Sequence, residues 1–268
     1  MRRIEKKVKN WLRNKGVYFG KKTSIKELNM FFRNIRPITT EHELIRLGEK
    51  SDGGYLVPND LIGITACFSP GVSAEVHLEE ELARRNIKSF MADYSIESLP
   101  IHNPLFDFEK KYVGLQPSDT HMTLEDWVNR KVNKDNSDLI LQMDIEGEEY
   151  DVIFDTSNES LKRFRIIVIE FHKLDILLDK YGYQIINTAF NKLLKNFSIV
   201  HIHPNNAATP VQYKGYELPP FMEFTFLRKD RIHSWSYTEH FPHALDNANV
   251  QSKQNFSLPE CWYKPIEE

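Results

Sequence analysis

Asp144 closes an apolar run, LILQM over 139–143, and opens the acidic stretch DIEGEE. A buried strand that delivers a carboxylate into a turn puts that acid where open α/β sheets bind ligands, outside the carboxyl ends of their strands. Two further apolar runs end in titratable groups: FRIIVIEFH (164–172) carries Glu170 and His172, and FSIVHIH (197–203) carries His201 and His203. Residues two apart on a strand share a face, so each run presents both of its polar groups on one side. Carboxylate and imidazole at neighbouring tips could hold a hard or borderline divalent cation that acidifies a substrate hydroxyl. Equally, one histidine could be the general base, since imidazole titrates near neutrality. A plainer use of DIEGEE is to cap the helix carrying Tyr150, Val152 and Ile153, because acids favour a helix N-terminus. Glu148 and Glu149 are given that role.

Another acid emerges from a strand–loop–helix–strand unit. GITACFSPGV (63–72) reads as a strand running into the loop Ser69-Pro70-Gly71-Val72-Ser73, AEVHLEEELARRN (74–86) as a helix, and IKSFMADYS (87–95) as a strand ending at Asp93. A separation of about 20 residues between loop and acid is that at which nucleotide-binding sheets set a carboxylate on a ribose. The loop has one glycine where dinucleotide binders have three, and no G-x-x-x-x-G-K-[ST] occurs, which argues against a dehydrogenase or a P-loop enzyme. Glu223, inside the apolar FMEFTF, needs a partner such as a histidine or Arg228. Asn205 and Asn206 follow His203-Pro204 and could orient a substrate hydroxyl or simply shape the turn.

The elements that position these groups alternate. Ser51-Asp52-Gly53-Gly54 joins two short strands from residue 45 in a hairpin. FEKKYVGL (108–115) is expected as a third strand of the series, 123–132 and 175–197 as helices, and FMEFTFLRK (221–229) as the last strand. Strand–helix alternation predicts a mainly parallel, doubly wound α/β sheet, and the absence of a helix between the final two strands makes that pair antiparallel. Residues 1–22 hold nine Lys/Arg and one acid, with Ile4, Val8, Trp11 and Leu12 at helical spacing. This basic amphipathic helix could touch an anionic membrane surface weakly or, more plainly, lean on the domain. The aromatic tail, with His240, His243, Asp246, Asn247 and Asn249, reads as a lid for a polyhydroxylated substrate or as surface loop. The expected organisation is a helical extension over 1–44, the α/β domain with its leading hairpin over 45–230, and the tail over 231–268.

A chain of 268 residues, 41% hydrophobic and 27% charged, can bury one α/β core. Its net charge of −3 gives no general attraction to nucleic acid. Two cysteines are too few for a disulfide framework. No apolar run approaches a membrane span of roughly 20 residues, and the N-terminus lacks the apolar core of a signal peptide. A cytoplasmic protein is expected; a homo-oligomer is left open.

Six blocks in this order resemble the FkbM-type S-adenosylmethionine-dependent methyltransferases: RLGEKSDGGYLVP (46–58), SPGVSAEVHLEEELARR (69–85), LQMDIEGEEYDVI (141–153), IVIEFH (167–172), HIHPNN (201–206) and HALDNANV (243–250). The resemblance implies a class I methyltransferase fold, a Rossmann-like seven-stranded sheet with the last strand antiparallel, and methyl transfer to oxygen, often on a sugar. It implies that Ser69, Gly71, Val72 and Ser73 lie against the cofactor, that Asp93 with Tyr94 holds its ribose end, and that Asp144 sits between sulfonium and acceptor. Asp52, Tyr55, Glu146, Asn205, Asn206, His243 and Asp246 are then acceptor-side candidates. His172, His201 and His203 are candidate bases beside Asp144. By analogy with metal-dependent O-methyltransferases, Asp144 and Glu170 are candidate ligands for magnesium or manganese. SPGVSA is poorer in glycine than the usual first loop of such enzymes. The implied acceptor is a sugar, as a nucleotide sugar or surface-polysaccharide precursor. A lipid or small-metabolite acceptor, and an inactive glycan- or protein-binding module, are the alternatives.

Overall fold

The computed structural model describes residues 2–16, 20–133 and 138–265. Seven strands form the central sheet: β1 Ala66–Pro70, β2 Lys88–Ala92, β3 Phe106–Glu109, β4 Leu139–Met143, β5 Phe164–Phe171, β6 Phe197–Pro204 and β7 Met222–Arg228. Their order across the sheet is β6-β7-β5-β4-β1-β2-β3. β7 is antiparallel to both of its neighbours, and the other pairs are parallel. The protein therefore has the expected Rossmann-like α/β architecture.

Period-two alternation divides the side chains between two layers. Phe68, Leu141, Ile167, Phe171, Phe224 and Phe226 face a core shared with α4 Leu124–Lys131, α5 Glu149–Asp155, the short α6 Asn158–Leu161 and α7 Lys180–Leu194. Cys67, Ile140, Ile166, Val168 and Leu227 face α3 His77–Arg84 and the hairpin of Leu44–Leu47 with Tyr55–Pro58. Both faces of β4 and β5 are covered, which is why these strands read as unbroken apolar runs. Phe68 anchors the first layer, its ring 5.0 Å from those of Phe90 and Trp127. Truncating it to alanine would cost about 3–5 kcal/mol.

Three local departures from expectation have simple causes. β3 begins at Phe106 and ends at Glu109 rather than covering 108–115. The adjacent charges of Lys110 and Lys111 cannot alternate into buried layers, and Tyr112–Val113 pairs instead with His121–Met122. The helix expected over 175–197 is split: a 3₁₀ turn, Leu174–Leu178, precedes α7, whose N-cap Asp179 accepts the N–H groups of Tyr181 and Gly182. Near the N-terminus, α1 Arg2–Asn14 leaves Trp11 exposed, but a second helix, α2 Ile25–Asn34, packs into the core. A Ser24–Glu27 capping box starts α2, and Leu28, Phe31 and Phe32 form its buried stripe. Phe31 lies 5.4 Å from Phe190, and Phe32 lies 5.0 Å from Trp262 of the tail. Ile38–Thr40 also pairs antiparallel with Trp235–Tyr237, so the two ends of the chain meet on one side of the domain. Among the described residues no helix is long and apolar enough to cross a membrane.

Candidate active site

Even-numbered positions of β4 and β5 point to the hairpin face, and this parity continues to their tips. Asp144 and Glu170 therefore emerge on the side that the hairpin covers. Gly71 brings the loop after β1 directly against Asp144. Its φ is +84°, and a Cβ there would stand 1.6 Å from the Asp144 carbonyl oxygen. Only glycine allows so close an approach. Asp52, Tyr55, Gly71, Val72, Ser73, Gln142 and Asp144 line the resulting cleft of about 140 Å³. The Gln142 amide donates to the Tyr55 hydroxyl at 3.2 Å, which fixes the hairpin over β4. The phenol of Tyr55 is pushed well up by burial and by the nearby Asp144 charge.

The turn after Asp144 builds a second feature. Glu146 and Gly147 both have positive φ, 60° and 113°, which bends DIEGEE back on itself. Glu149, wholly buried, then accepts hydrogen bonds from the N–H groups of Ile145 at 3.2 Å and Gly147 at 3.0 Å, and from His172 Nδ1 at 3.0 Å, all through Oε1. A carboxylate can only accept, so Nδ1 carries the proton and Nε2 is left with the lone pair. Nε2 lies 3.9 Å from Asp144 Oδ1 and 3.4 Å from Glu146 Oε2. Burial alone would lower the pKa of His172, but Glu149, assisted by Asp144 and Glu146, holds it above the ordinary value. The Tyr150 hydroxyl donates to the His172 carbonyl oxygen, and the Phe221 ring packs against the imidazole. Glu149 thus does more than cap a helix: it sets the histidine tautomer. The sequence signal was the glycine at 147, which permits the turn.

Insertion of β7 between β5 and β6 extends the polar row. Glu223 lies opposite Glu170 on one side and opposite His203 on the other. Asp144, Glu170 and Glu223 are each held above the usual carboxylate range. Burial is the main cause for all three, reinforced by Glu170 for Asp144 and by Glu223 for Glu170. Asn205 donates to Glu170 Oε1 at 2.7 Å. Asn249, from the tail, donates to Glu223 Oε1 at 2.6 Å and to Asp52 Oδ1 at 3.2 Å, while its carbonyl oxygen faces His203 Nε2 at 3.1 Å. The register of β6 on β7 slips between Ile199 and His201, a bulge that brings His201 and His203 to the hairpin face. His201 Nε2 meets Asp246 Oδ1 at 2.9 Å.

The remaining candidates are spread around this row. Asp93 accepts the Ser73 N–H at 2.9 Å and both donors of Ser95 at 2.7 Å. A carboxylate has about four acceptor positions, so one remains. The Ser69 hydroxyl donates to the buried Glu79 of α3, which lines the same cleft as Gly71 and Ser73. Tyr94 is exposed and leans on Tyr112, 5.3 Å away, which in turn leans on His121. Asn206 uses its amide on the Val250 and Lys253 carbonyls and the Val250 N–H, holding the tail. His243 forms a tight turn with Asp246, whose Oδ2 accepts the His243 N–H at 2.7 Å. Helix residue Glu149 is a structural hub expected only as a helix cap, and tail residue Asn249, expected only as part of a lid or surface loop, is buried between His203 and Glu223.

Among the described residues, two groups of donors converge closely enough to hold an ion: Asp144, Glu149 and His172, and separately His201, His203 and Asp246, each within 4.8 Å. Asp144 Oδ1 is buried with no hydrogen-bond partner. Such an orphaned oxygen, beside Glu170, suits a proton or a hard cation.

Comparison of the chain with family models finds a methyltransferase domain over part of its length. Residues 74–193, a little under half of the chain, match the family model of the Methyltransferase FkbM domain. The match runs from just before α3 to the end of α7; it includes Asp93, Asp144, Glu149, Glu170 and His172, and leaves Gly71, His201, His203 and the tail outside. No curated protein matched the chain. Among solved structures, the crystal structure of a "putative RNA methyltransferase" from Pyrococcus horikoshii is similar at 10% identity and a TM-score of 0.34. That alignment covers 76% of this chain and 99% of the other.

Proposed function

We propose that this methyltransferase takes its methyl group from S-adenosylmethionine and transfers it to a hydroxyl of a sugar, such as a nucleotide sugar or a precursor of a surface polysaccharide. The observation that carries the reading is the pairing of Asp144 with a tautomer-fixed His172 beside the Gly71 loop. S-adenosylmethionine, when bound, supplies an electrophilic sulfonium methyl. The residues suited to hold it are the Gly71–Ser73 backbone, Asp93 with its remaining acceptor position for a ribose hydroxyl, and the exposed Tyr94 face.

The acceptor side is acidic and polar: Asp52, Tyr55, Gln142 and Asp144 line the cleft and offer acceptors and donors at several angles. Such a lining favours a polyol over a lipid chain, because an apolar ligand would leave these groups unpaired. Asp144 accepts a hydrogen bond from the acceptor hydroxyl and orients its oxygen, which is the main task when the electrophile is already reactive. His172 Nε2 takes the hydroxyl proton as the new C–O bond forms and the S–C bond breaks. Glu149 holds the opposite edge of the ring and stabilises the imidazolium produced. Magnesium or manganese would be held by Asp144 and Glu170 and would lower the pKa of a bound hydroxyl.

The test is transfer of isotope-labelled methyl from S-adenosylmethionine to a panel of nucleotide sugars and glycan fragments by the full chain. A labelled O-methyl sugar is expected, and its formation should be lost in Asp144→Asn. Calorimetry showing no binding of S-adenosylmethionine or S-adenosylhomocysteine would overturn the reading.

A further inference from the structure

His201, His203 and Asp246 lie at the far end of the polar row and take no part in the transfer described above. His203 is 6% exposed, yet its Nδ1 has no hydrogen-bond partner. The reason lies in its surroundings. Asn249 directs its amide N–H groups at Glu223 and Asp52, so its carbonyl oxygen must face His203. That oxygen accepts the proton of Nε2, at 3.1 Å, and leaves Nδ1 as a bare lone pair in the neutral ring. The lone pair points toward Asp246 Oδ1, 3.6 Å away. A lone pair facing a buried carboxylate without a proton between them is unfavourable, and 3.6 Å is too long for a hydrogen bond to close the gap. His201 Nε2 approaches the same oxygen at 2.9 Å.

We infer that His201 Nε2, His203 Nδ1 and Asp246 form a site for a borderline divalent transition-metal ion, of which zinc is the type. Two imidazoles and one carboxylate are the donor set such ions prefer over magnesium or calcium. Tetrahedral ligands at about 2.0–2.1 Å from zinc stand roughly 3.3–3.4 Å from one another. The contacts of 2.9 and 3.6 Å to Asp246 bracket that range without the ion. The outer hydrogen bonds are also in place. His203 donates its other ring N–H to Asn249, which two carboxylates lock, an arrangement that typically fixes the ring of a metal-bound histidine. Asp246 is held by the His243 N–H through its second oxygen.

His201 lines a cavity of about 420 Å³ together with His42, His240 and His243, which gives an ion a path from solvent and an imidazole-rich approach. Asp246 belongs to the tail, whereas both histidines belong to β6. The ion therefore clamps the tail to the sheet and keeps Asn249 seated between His203 and Glu223. This site does not depend on the methyl-transfer reading.

The experiment is a titration of the chelator-treated full chain with Co²⁺, followed by visible d–d absorption, with bound metal counted by mass spectrometry. With excess Mg²⁺ present to occupy the acids at Asp144 and Glu170, one equivalent is expected in the wild type and in Asp144→Asn. It should be lost in His203→Gln and in Asp246→Asn, whose folding is checked by circular dichroism. Zn²⁺ should displace the cobalt signal, and excess Mg²⁺ should not. Metal loading should raise Tm and slow proteolysis within 240–250. Failure of the wild type to take up Co²⁺ or Zn²⁺ overturns the site without recourse to any variant. So does a signal that persists in Asp246→Asn but disappears in Asp144→Asn, which would assign the ion to the acids near His172.

Discussion

Replacing Glu149 by glutamine tests the dyad with least disturbance to the fold. Alanine would strand the Ile145 and Gly147 N–H groups along with His172 Nδ1, at about 1–3 kcal/mol for each buried group. Glutamine keeps Oε1 as acceptor for all of them and removes the charge, at the cost of placing an amide NH2 where the buried Oε2 has no partner. The bond to His172, 3.0 Å long, then changes from charge-assisted to ordinary. That difference is about 1.4 kcal/mol, equal to about one pH unit in the titration of the ring. The sign follows from what the charge does: Glu149 favours the imidazolium, so its loss makes the ring give up its proton at lower pH. Asp144 and Glu146 still face Nε2 and limit the change. Imidazole titration by ¹⁵N-correlated NMR, with chelator present, reads the shift directly. In the wild type the rate should climb with pH as His172 deprotonates, with its midpoint above the ordinary 6.5. In Glu149→Gln that limb should move toward acid and kcat should fall roughly tenfold, with KM for the methyl donor unchanged. A His172 titration that does not move on this substitution would refute the reasoning.

Asp144→Asn should reduce turnover at least about a hundredfold while leaving Tm equal or higher, since burial and Glu170 already disfavour the charge it removes. Calorimetry should still detect methyl-donor binding to that variant. Gly71→Ala forces a Cβ into the Asp144 carbonyl; the strained backbone and the clash should lower Tm by several degrees and weaken donor binding, and an unchanged melt would contradict the close approach. Glu79 is held up by burial, so its folded pKa exceeds the unfolded one. Stability should therefore fall as pH rises above about 4.5, and Glu79→Gln should flatten that slope in melts taken from pH 4 to 8.

The central sheet was legible because β4 and β5 are covered on both sides and cannot hide their apolar runs. The acid at the end of β4 followed from the same pattern. α2 was obscured by the run of basic residues before it, although Ser24 and Glu27 stand at capping-box spacing and Leu28, Phe31 and Phe32 at helical spacing. Glu149 looked like one more charge at a helix start, because its burial depends on how Glu146 and Gly147 turn the backbone. The partners of His201, His203 and Glu223 lie some 25–50 residues away in the tail. Sequence periodicity carries no information about such contacts. Asn206 illustrates the converse: an amide at a strand tip looks available, and here its donors and acceptor hold the tail in place.

The sheet order has a consequence for how such a protein can be divided. The segment that matches the FkbM domain holds β2, β3, β4 and β5, but β1, which precedes it in the chain, lies between β4 and β2. Cutting the chain at the borders of the match would take out the middle of the sheet. Two separate ribbons would remain, each with a bare edge open to association with other strands. The matched stretch of this chain is therefore not a module that can be excised or transplanted by itself.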